Sequence, residues 1–216
     1  MKKLLVMGLL LLSYAGRAQE VDADLMKVKK RLDTVQQFTA TVVLDLDVPF
    51  IRMPTKTAQM HYEKGKQTRF SSEDFVMLPK RGLDFSFDEL FKYPFITVDR
   101  GTEMRNGQSL KIVNVIPTDK RAELALATLY LDVKNRRIMQ SEINTRKEGS
   151  YTLSMHYTKP NDILPDYVEA TFAVERLKIP FNFMGKDTKI DRQQMKAQDK
   201  KTGVIKIRIK EYRIYE

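Results

Sequence analysis

The chain has 216 residues, a formal net charge of +10 and no cysteine. Without cysteine we expect no disulfide, no thiolate metal site, no thiol catalysis and no lipid anchor of the bacterial kind, which requires a cysteine at the cleavage point. A basic protein is attracted to anionic lipid surfaces, acidic partners or nucleic acid, and the export signal described next makes nucleic acid the least favoured of the three.

The N-terminal residues have the pattern of a secretory signal peptide. Two lysines precede an apolar run over residues 4–12, and small residues lead to Ala18. A run of about 9 apolar residues is too short to cross a bilayer, which takes about 20. We therefore expect removal of residues 1–18, which takes three basic side chains from the total and leaves +7. Residues 19–216 are then expected to form one exported, periplasmic domain without a transmembrane segment.

The first element predicted after the signal is an amphipathic helix. Asp22 is a suitable N-cap, and Leu25, Val28, Leu32 and Val35 follow at spacings of three and four with basic residues between them. The nearest predicted apolar surface is that of the sheet that begins at Phe38. We expect the helix to pack across the mouth of that sheet.

Strands are predicted next. Apolar and polar residues alternate over 38–48 and again over 57–63, and a Lys-Gly-Lys turn at 64–66 closes a hairpin. A third strand is predicted at Thr68–Phe70 and a fourth at Phe75–Leu78.

A short helix is predicted between two prolines at positions 79 and 94. Ser86 and Glu89 have the spacing of a capping box. The helix carries Phe87, Leu90 and Phe91, which would act as a lid over an open sheet or, alternatively, cover a sheet edge.

Five consecutive alternating segments between Leu110 and Val174, each bounded by turn residues, predict an antiparallel series of hairpins. In the last three segments one phase is apolar and the other polar, so one face of the sheet is expected to be dry and one wet. The residues of the apolar phase are Ile143, Tyr151, Leu153, Met155, Tyr157, Val168, Phe172 and Val174.

The C-terminal part is predicted to be a long polar loop over 185–203 followed by one more strand. In that strand isoleucines at 205, 207 and 209 alternate with Lys206, Arg208 and Lys210, and the apolar phase then slips by one residue at Tyr212, as a β-bulge would produce. The total is about ten to eleven strands.

In this order of elements the chain resembles the periplasmic outer-membrane lipoprotein carriers, the LolA-like family, whose relatives include the lipoprotein receptor and a sigma-factor regulator. The stretches that carry the resemblance are Leu32–Ala40, Ile112–Pro117, Leu124–Asp132, Ile138–Thr145, Gly149–Tyr151 and Leu164–Asp166. The resemblance implies a mainly β fold with helices: an incomplete, strongly curved antiparallel barrel with a helical lid over a hydrophobic cavity that binds acyl chains of lipoproteins or lipids.

An acyl chain needs only apolar area and an adaptable lining, which methionine provides. The residues predicted to line such a cavity are Leu44, Leu46, Met60, Tyr62, Phe70, Met77, Ile143, Leu153, Met155 and Phe172. The plain alternative is that these side chains fill an ordinary core.

Lys206, Arg208 and Lys210 are candidates for docking an acidic partner or anionic lipid. Alternatively, such a row is the solvated side of an edge strand. The predicted function is a monomeric periplasmic carrier that exchanges lipoprotein or lipid with inner- and outer-membrane proteins. Its rival is a regulatory or structural envelope module that binds a protein through this basic row.

An enzyme is not expected, and no catalytic residue, cofactor or metal site is predicted. The chain has two histidines, His61 and His156, and lacks the His-Glu-x-x-His, Gly-x-Ser-x-Gly and phosphate-loop motifs. His61 and Glu63 share a strand face, but a third metal ligand is not evident. A hydrolase of an unfamiliar type, using either histidine, is the weakest alternative.

Overall fold

The computed structural model describes residues 21–66, 68–72, 90–147, 149–173, 187–197 and 202–215. The predicted signal peptide, the predicted strand at 75–78 and most of the predicted lid helix lie outside the described residues.

The described residues form two helices and twelve strands. The helices are α1 (Ala23–Leu32) and α2 (Arg192–Ala197). The strands are β1 (Gln37–Asp47), β2 (Ile51–Arg52), β3 (Lys56–Glu63), β4 (Arg69–Ser71), β5 (Phe95–Arg105), β6 (Gln108–Pro117), β7 (Leu124–Asp132), β8 (Arg137–Thr145), β9 (Ser150–His156), β10 (Tyr167–Ala173), β11 (Lys189–Ile190) and β12 (Thr202–Tyr215).

Ten of these strands form one antiparallel sheet in the order β4-β3-β1-β12-β10-β9-β8-β7-β6-β5, and β11 pairs with β2 in a separate ribbon. Within the described residues the end strands β4 and β5 are not paired with each other, so the sheet is open. The predicted fold class, a mainly β protein built on an unclosed antiparallel sheet, is confirmed.

The sheet curls strongly, because one short helix reaches strands near both of its ends. At the N-terminal end of α1 the carboxylate of Asp22 lies 2.7 Å from Nζ of Lys111 on β6, and after its C-terminal end the carboxylate of Asp33 lies 3.1 Å from Nζ of Lys64, next to β3. Seven inter-strand spacings separate β3 from β6 in the strand order, so in a flat sheet the two strands would be about 34 Å apart. The helix with its caps is only about 18 Å long, so the sheet wraps around it.

The predicted helix is confirmed, and its cap is Asp22, whose Oδ1 accepts hydrogen bonds from the backbone N–H groups of Asp24 and Leu25. Leu25 and Val28 are fully buried against the inner face of the sheet. The helix ends at Leu32, one turn earlier than the stripe predicts, and Val35 is buried just beyond it.

The predicted hairpin series is confirmed as β6 to β10. The predicted bulge is confirmed as well, because Thr39 pairs with Arg213 whereas Thr41 pairs with Lys210, which leaves one extra residue on β12. Glu211 takes up the distortion with φ of 55°, and its carboxylate accepts a hydrogen bond of 2.6 Å from Thr41 Oγ1.

Two parts of the C-terminal prediction are wrong. The segment 185–203, predicted as a loop, contains β11 and α2, since Ile190 packs on Phe50 and Ile51 and Asp191 caps α2 by accepting hydrogen bonds from the N–H groups at 193 and 194. In addition, β12 is not an edge strand, because it lies between β1 and β10.

Strand β5 was not predicted. All residues from Val98 to Met104 are exposed, so this strand lacks the alternation of apolar and polar residues by which the other strands were predicted.

The inner face of the sheet packs into two apolar clusters. The main cluster joins α1 to residues of β1, β6 to β10 and β12. The second cluster, at the far end of β1 and β10, consists of Val48, Phe50, Ile51 and Phe172, with Ile190 packed against it.

Candidate functional site

A cavity of about 100 Å³ lies on the inner face of the sheet, beneath the C-terminal end of α1. Its walls come from α1 and the residues after it, the inner faces of β1, β3, β9, β10 and β12, the loop between β9 and β10, the segment after β3 that holds Lys64 and Thr68, and Phe91. The apolar lining residues are Leu32, Val35, Phe38, Met60, Tyr62, Phe91, Leu153, Met155, Leu164, Pro165, Val168, Ile209 and Tyr212.

Three aromatic rings form one wall of the cavity. The rings of Phe38 and Tyr62 stack with centroids 5.0 Å apart, and Tyr212 meets Phe38 edge-on at 5.4 Å. The hydroxyl of Tyr212 donates a hydrogen bond of 2.6 Å to the carbonyl of Pro165, and burial raises the pKa of Tyr212. The phenol of Tyr212 is therefore neutral and already paired, and Tyr212 adds its ring to the aromatic wall of the cavity.

Charged side chains occupy one side of the mouth, and we call Lys29, Asp33 and Lys64 the rim. Nζ of Lys29 lies 2.6 Å from one carboxylate oxygen of Asp33, and Nζ of Lys64 lies 3.1 Å from the other. Partial burial works to raise the pKa of Asp33, but hydrogen bonds from the two lysines outweigh it and hold that pKa below its ordinary value. Asp33 is therefore ionised at neutral pH.

Phe91 also lies at the mouth. Its half-buried ring is 5.5 Å from Nζ of Lys29 and 5.6 Å from the ring of Phe95. Ring contacts of this kind are worth about 0.5 to 1.5 kcal/mol each, and Phe91 also packs against the main apolar cluster.

The structure brings some of the predicted cavity residues together and separates others. Met60, Tyr62, Leu153 and Met155 line the cavity, as does Phe91 of the predicted lid. Leu44 and Leu90 belong to the surrounding main cluster and Phe70 and Ile143 pack against it, whereas Leu46 and Phe172 pack in or against the second cluster. Met77 and Phe87 lie outside the described residues.

Several lining residues were missed by the sequence reasoning. Phe38, Val168 and Ile209 lie in the apolar phases predicted for their strands. The sequence therefore indicated that they face the interior, but not that they lie at the level of the cavity. Tyr212 comes into the cavity because the bulge at Glu211 shifts the phase of β12. No local pattern in the sequence indicated that the three rim residues would lie together at the mouth of a cavity.

The basic row of β12 faces away from the cavity and is partly neutralised within the sheet. Lys206 pairs with Asp47 at 3.3 Å and Arg208 with Asp45 at 2.5 Å, both on the neighbouring strand β1. Lys210 is exposed and has no ion pair with a described residue. Two of the three proposed docking charges therefore already have a partner.

The two histidines lie apart from the cavity lining. In the sheet, His61 on β3 lies opposite Thr39 on β1 and Arg69 on β4. Glu63, two residues further along β3, forms a 2.7 Å ion pair with Lys66. The ring of His156 packs on Tyr167 at 5.3 Å. Among the described residues, no three potential ligands from His, Asp and Glu come together as a metal site would require.

The part of the chain that the structure describes holds no helix with the length and apolar character needed to cross a membrane.

Neither a scan against protein-family models nor a search of curated proteins returns a match to this chain. Solved structures do share its fold. A LolA superfamily protein from Nitrosomonas europaea is 9% identical, with 88% of this chain and 93% of that chain covered and a TM-score of 0.50. A DUF1329 family protein from Desulfovibrio piger is 10% identical, with 90% and 92% covered and a TM-score of 0.51. At such low identity the likeness shows the fold, which is LolA-like, as the sequence resemblance predicted.

Proposed function

We propose that this chain, which has a LolA-like fold, is an exported, non-enzymatic binding protein that shelters an acyl chain of a lipoprotein or lipid in the cavity beneath α1. The observation that supports this most directly is the lining, which is apolar apart from the rim and Thr68. The proposal includes removal of residues 1–18, a periplasmic location for the remaining chain and exchange of cargo with membrane proteins.

Binding of this kind is driven by apolar burial alone. Each buried methylene contributes roughly 0.8 kcal/mol, so a few carbons provide useful affinity without a hydrogen bond. Met60 on β3 and Met155 on β9 both line the cavity. Because methionine is flexible and polarisable, these two residues can adjust to chains of different length and branching.

The volume indicates that the cavity must widen to hold a long chain. An engineered apolar cavity of roughly 150 Å³ holds one benzene molecule, so a cavity of about 100 Å³ takes the end of one acyl chain. Displacement of Phe91 from the mouth would extend the space, at the cost of its ring contacts and of its packing against the main apolar cluster. Loading would then consist of an outward movement of Phe91 and insertion of the chain.

The rival function, a protein-interaction module that uses the basic row of β12, is less well supported. Lys206 and Arg208 are already paired with β1 aspartates, and a new partner would have to compete with them. Charge reversal at Lys206, Arg208 and Lys210 separates the two functions, since a carrier keeps its lipid affinity and an interaction module loses its partner.

The proposed function is tested by native mass spectrometry of protein purified from its host envelope, followed by titration with a fluorescent fatty acid. We expect co-purifying lipid or lipoprotein and saturable binding. Met60→Trp fills the cavity, and if it excludes two methylenes it costs about 1.6 kcal/mol, more than tenfold in Kd.

Gln59→Trp is the matched control, because Gln59 is the neighbouring residue on β3 and is exposed on the opposite face. It should leave the Kd unchanged. A protein that is always purified empty and does not bind the fatty acid would contradict the proposal, as would equal effects of the two tryptophans.

A further inference from the structure

The charged groups that line the cavity are confined to the rim, and they come from two separate parts of the chain. Lys29 is on the last turn of α1 and Asp33 is its C-cap, whereas Lys64 is in the turn after β3. Lys29, Asp33 and Lys64 are 28%, 34% and 36% exposed, so the groups lie at the boundary between the apolar interior and water. This is where the polar end of an inserted amphiphile would be.

The rim has an excess of positive charge, with two ammonium groups for one carboxylate. Each ammonium carries three donors. Within the described residues Lys29 donates a hydrogen bond only to Asp33, and Lys64 donates only to the backbone carbonyl of Asp33, at 3.3 Å, besides its ion pair with that carboxylate. Donors are therefore left on both lysines for a second acceptor at the mouth.

The two ammonium groups are held in position before any ligand arrives. The backbone N–H of Lys64 donates a 2.8 Å hydrogen bond to the carbonyl of Gln36, which ties the β3–β4 turn to the segment after α1. The ring of Phe91 lies 5.5 Å from Nζ of Lys29. A pre-organised pair of donors costs little to engage.

We propose that the rim is a headgroup site and that the preferred ligand is a single-chain amphiphile with an anionic end, such as a fatty-acid carboxylate, bound by Lys29 and Lys64. This inference rests on the proposed function, because the acyl chain of the same ligand fills the cavity. Asp33 is the internal competitor: its carboxylate occupies the two ammonium groups in the empty state and gives up part of that contact when the ligand binds.

The test compares lauric acid with methyl laurate, which has the same acyl chain and no charge. Binding is measured by displacement of the neutral dye N-phenylnaphthylamine at about pH 8, where the acid is ionised, and at low salt to limit screening. We expect the acid to bind about fivefold more tightly than the ester. Lys29→Met and Lys64→Met, which keep the apolar stem, should each reduce that preference without weakening the ester.

Two further variants sharpen the test. Lys27→Met is the matched control, because Lys27 is on the same helix, pairs with Asp24 and does not line the cavity; it should leave the preference intact. Asp33→Asn removes the competing carboxylate and should tighten binding of the acid, and not of the ester, by a few-fold. Thermal unfolding of each variant shows whether it is folded.

The outcomes separate the two proposals. Equal affinity for acid and ester, with no response to the rim variants, would overturn the headgroup site and leave acyl binding standing. A protein that binds neither compound would overturn the proposed function itself. Weaker acid binding in Asp33→Asn would also overturn the headgroup site, since Asp33 would then be supporting the ligand instead of competing with it.

Discussion

Gly203 shows how one residue sets the packing of the second apolar cluster. It is buried on the inner face of β12, and a Cβ atom there would lie 2.7 Å from the ring of Phe172 and 2.8 Å from the side chain of Val48. Both distances are far inside van der Waals contact. Phe172 therefore fills the space that a side chain at position 203 would need.

We predict that Gly203→Ala lowers the free energy of unfolding by about 1 to 3 kcal/mol, the usual cost of overpacking a core. Urea denaturation measures the loss. Thr202→Ala is the control, since Thr202 is the exposed neighbour on the same strand, and it should change stability by less than about 0.5 kcal/mol. Similar losses in the two variants would contradict the steric explanation.

Helix α1 is held at each end by a charged group. At its N-terminus, Asp22 is both the N-cap and a partner of Lys111, which also lies 3.0 Å from Asp24 and 3.4 Å from Asp99. Burial works against the ammonium of Lys111, but the carboxylates of Asp22 and Asp24 outweigh it and raise its pKa. At its C-terminus, Arg31 donates to backbone carbonyls of Asn135 and Asn161.

Substitution of the cap is expected to loosen α1 from the sheet. Asp22→Ala removes the cap and one partner of Lys111, and we expect a loss of about 1 to 2 kcal/mol. Asp22→Asn keeps an oxygen that can cap the helix and loses only the charge, so it should recover about half of that loss. Chemical denaturation monitored by circular dichroism distinguishes the two, and equal stabilities for the alanine and asparagine variants would exclude the capping role.

The bulge in strand β12 determines which residues of that strand line the cavity. Because the extra residue falls at Glu211, Ile209 and Tyr212 both face inward although they are three positions apart. A regular strand would have turned the tyrosine ring to the outer face. The bulge is therefore what supplies the third ring of the aromatic wall.

The whole molecule is organised by the curl of a ten-stranded sheet around one helix, and its stability depends in part on ion-paired carboxylates, one between separate elements and one within a hairpin. Asp33 joins α1 to the β3–β4 turn. Asp132 is buried and lies 2.9 Å from the guanidinium of Arg137. Burial works to raise the pKa of Asp132, but hydrogen bonds from Asn135 and Arg137 outweigh it, so its pKa, like that of Asp33, lies below the ordinary value.

A lowered pKa in the folded state has a defined effect on stability. Asp33 and Asp132 contribute stability that is present above their unfolded pKa of about 4 and is lost as the pH falls through their lower folded pKa values. Acid also increases the repulsion among the basic groups of a chain with a net charge of +10. We predict a nearly constant urea midpoint from about pH 7 to pH 5 and a steep fall below about pH 4.

Asp132→Asn tests how much the buried carboxylate of Asp132 contributes to the stability of the folded protein. At neutral pH it leaves the buried guanidinium of Arg137 without its charged partner and should cost about 3 kcal/mol. Near pH 3, below the ordinary aspartate pKa of about 4, the stability difference from the unsubstituted protein should narrow, because the unfolded chain then binds a proton at Asp132, and this favours unfolding. A stability difference between the two proteins that is the same at both pH values would contradict the link between the ionisation of Asp132 and stability.

Much of the fold follows from short-range patterns that can be recognised in the sequence. Period-two alternation over 110–174 predicts the hairpins β6 to β10, the spacing after Asp22 predicts α1, and the slip at Tyr212 predicts the bulge. Strand β5 was missed because its exposed residues carry no apolar phase, although the turn that closes it, Asn106-Gly107 with both φ angles positive, is a hairpin signal that could have indicated it.

Alternation along a strand determines which face of the sheet a side chain occupies, because successive residues point to opposite sides. It does not determine whether that position lies over a cavity, in a packed cluster or at an edge. Leu44 and Phe38 share a phase on β1, yet only Phe38 lines the cavity, and Phe172 shares the phase of Val168 but packs around Gly203. The rim joins a helix end to a turn about thirty residues later, and only the curl of the sheet brings Lys29, Asp33 and Lys64 together, since no local pattern encodes a contact that depends on how far ten strands bend.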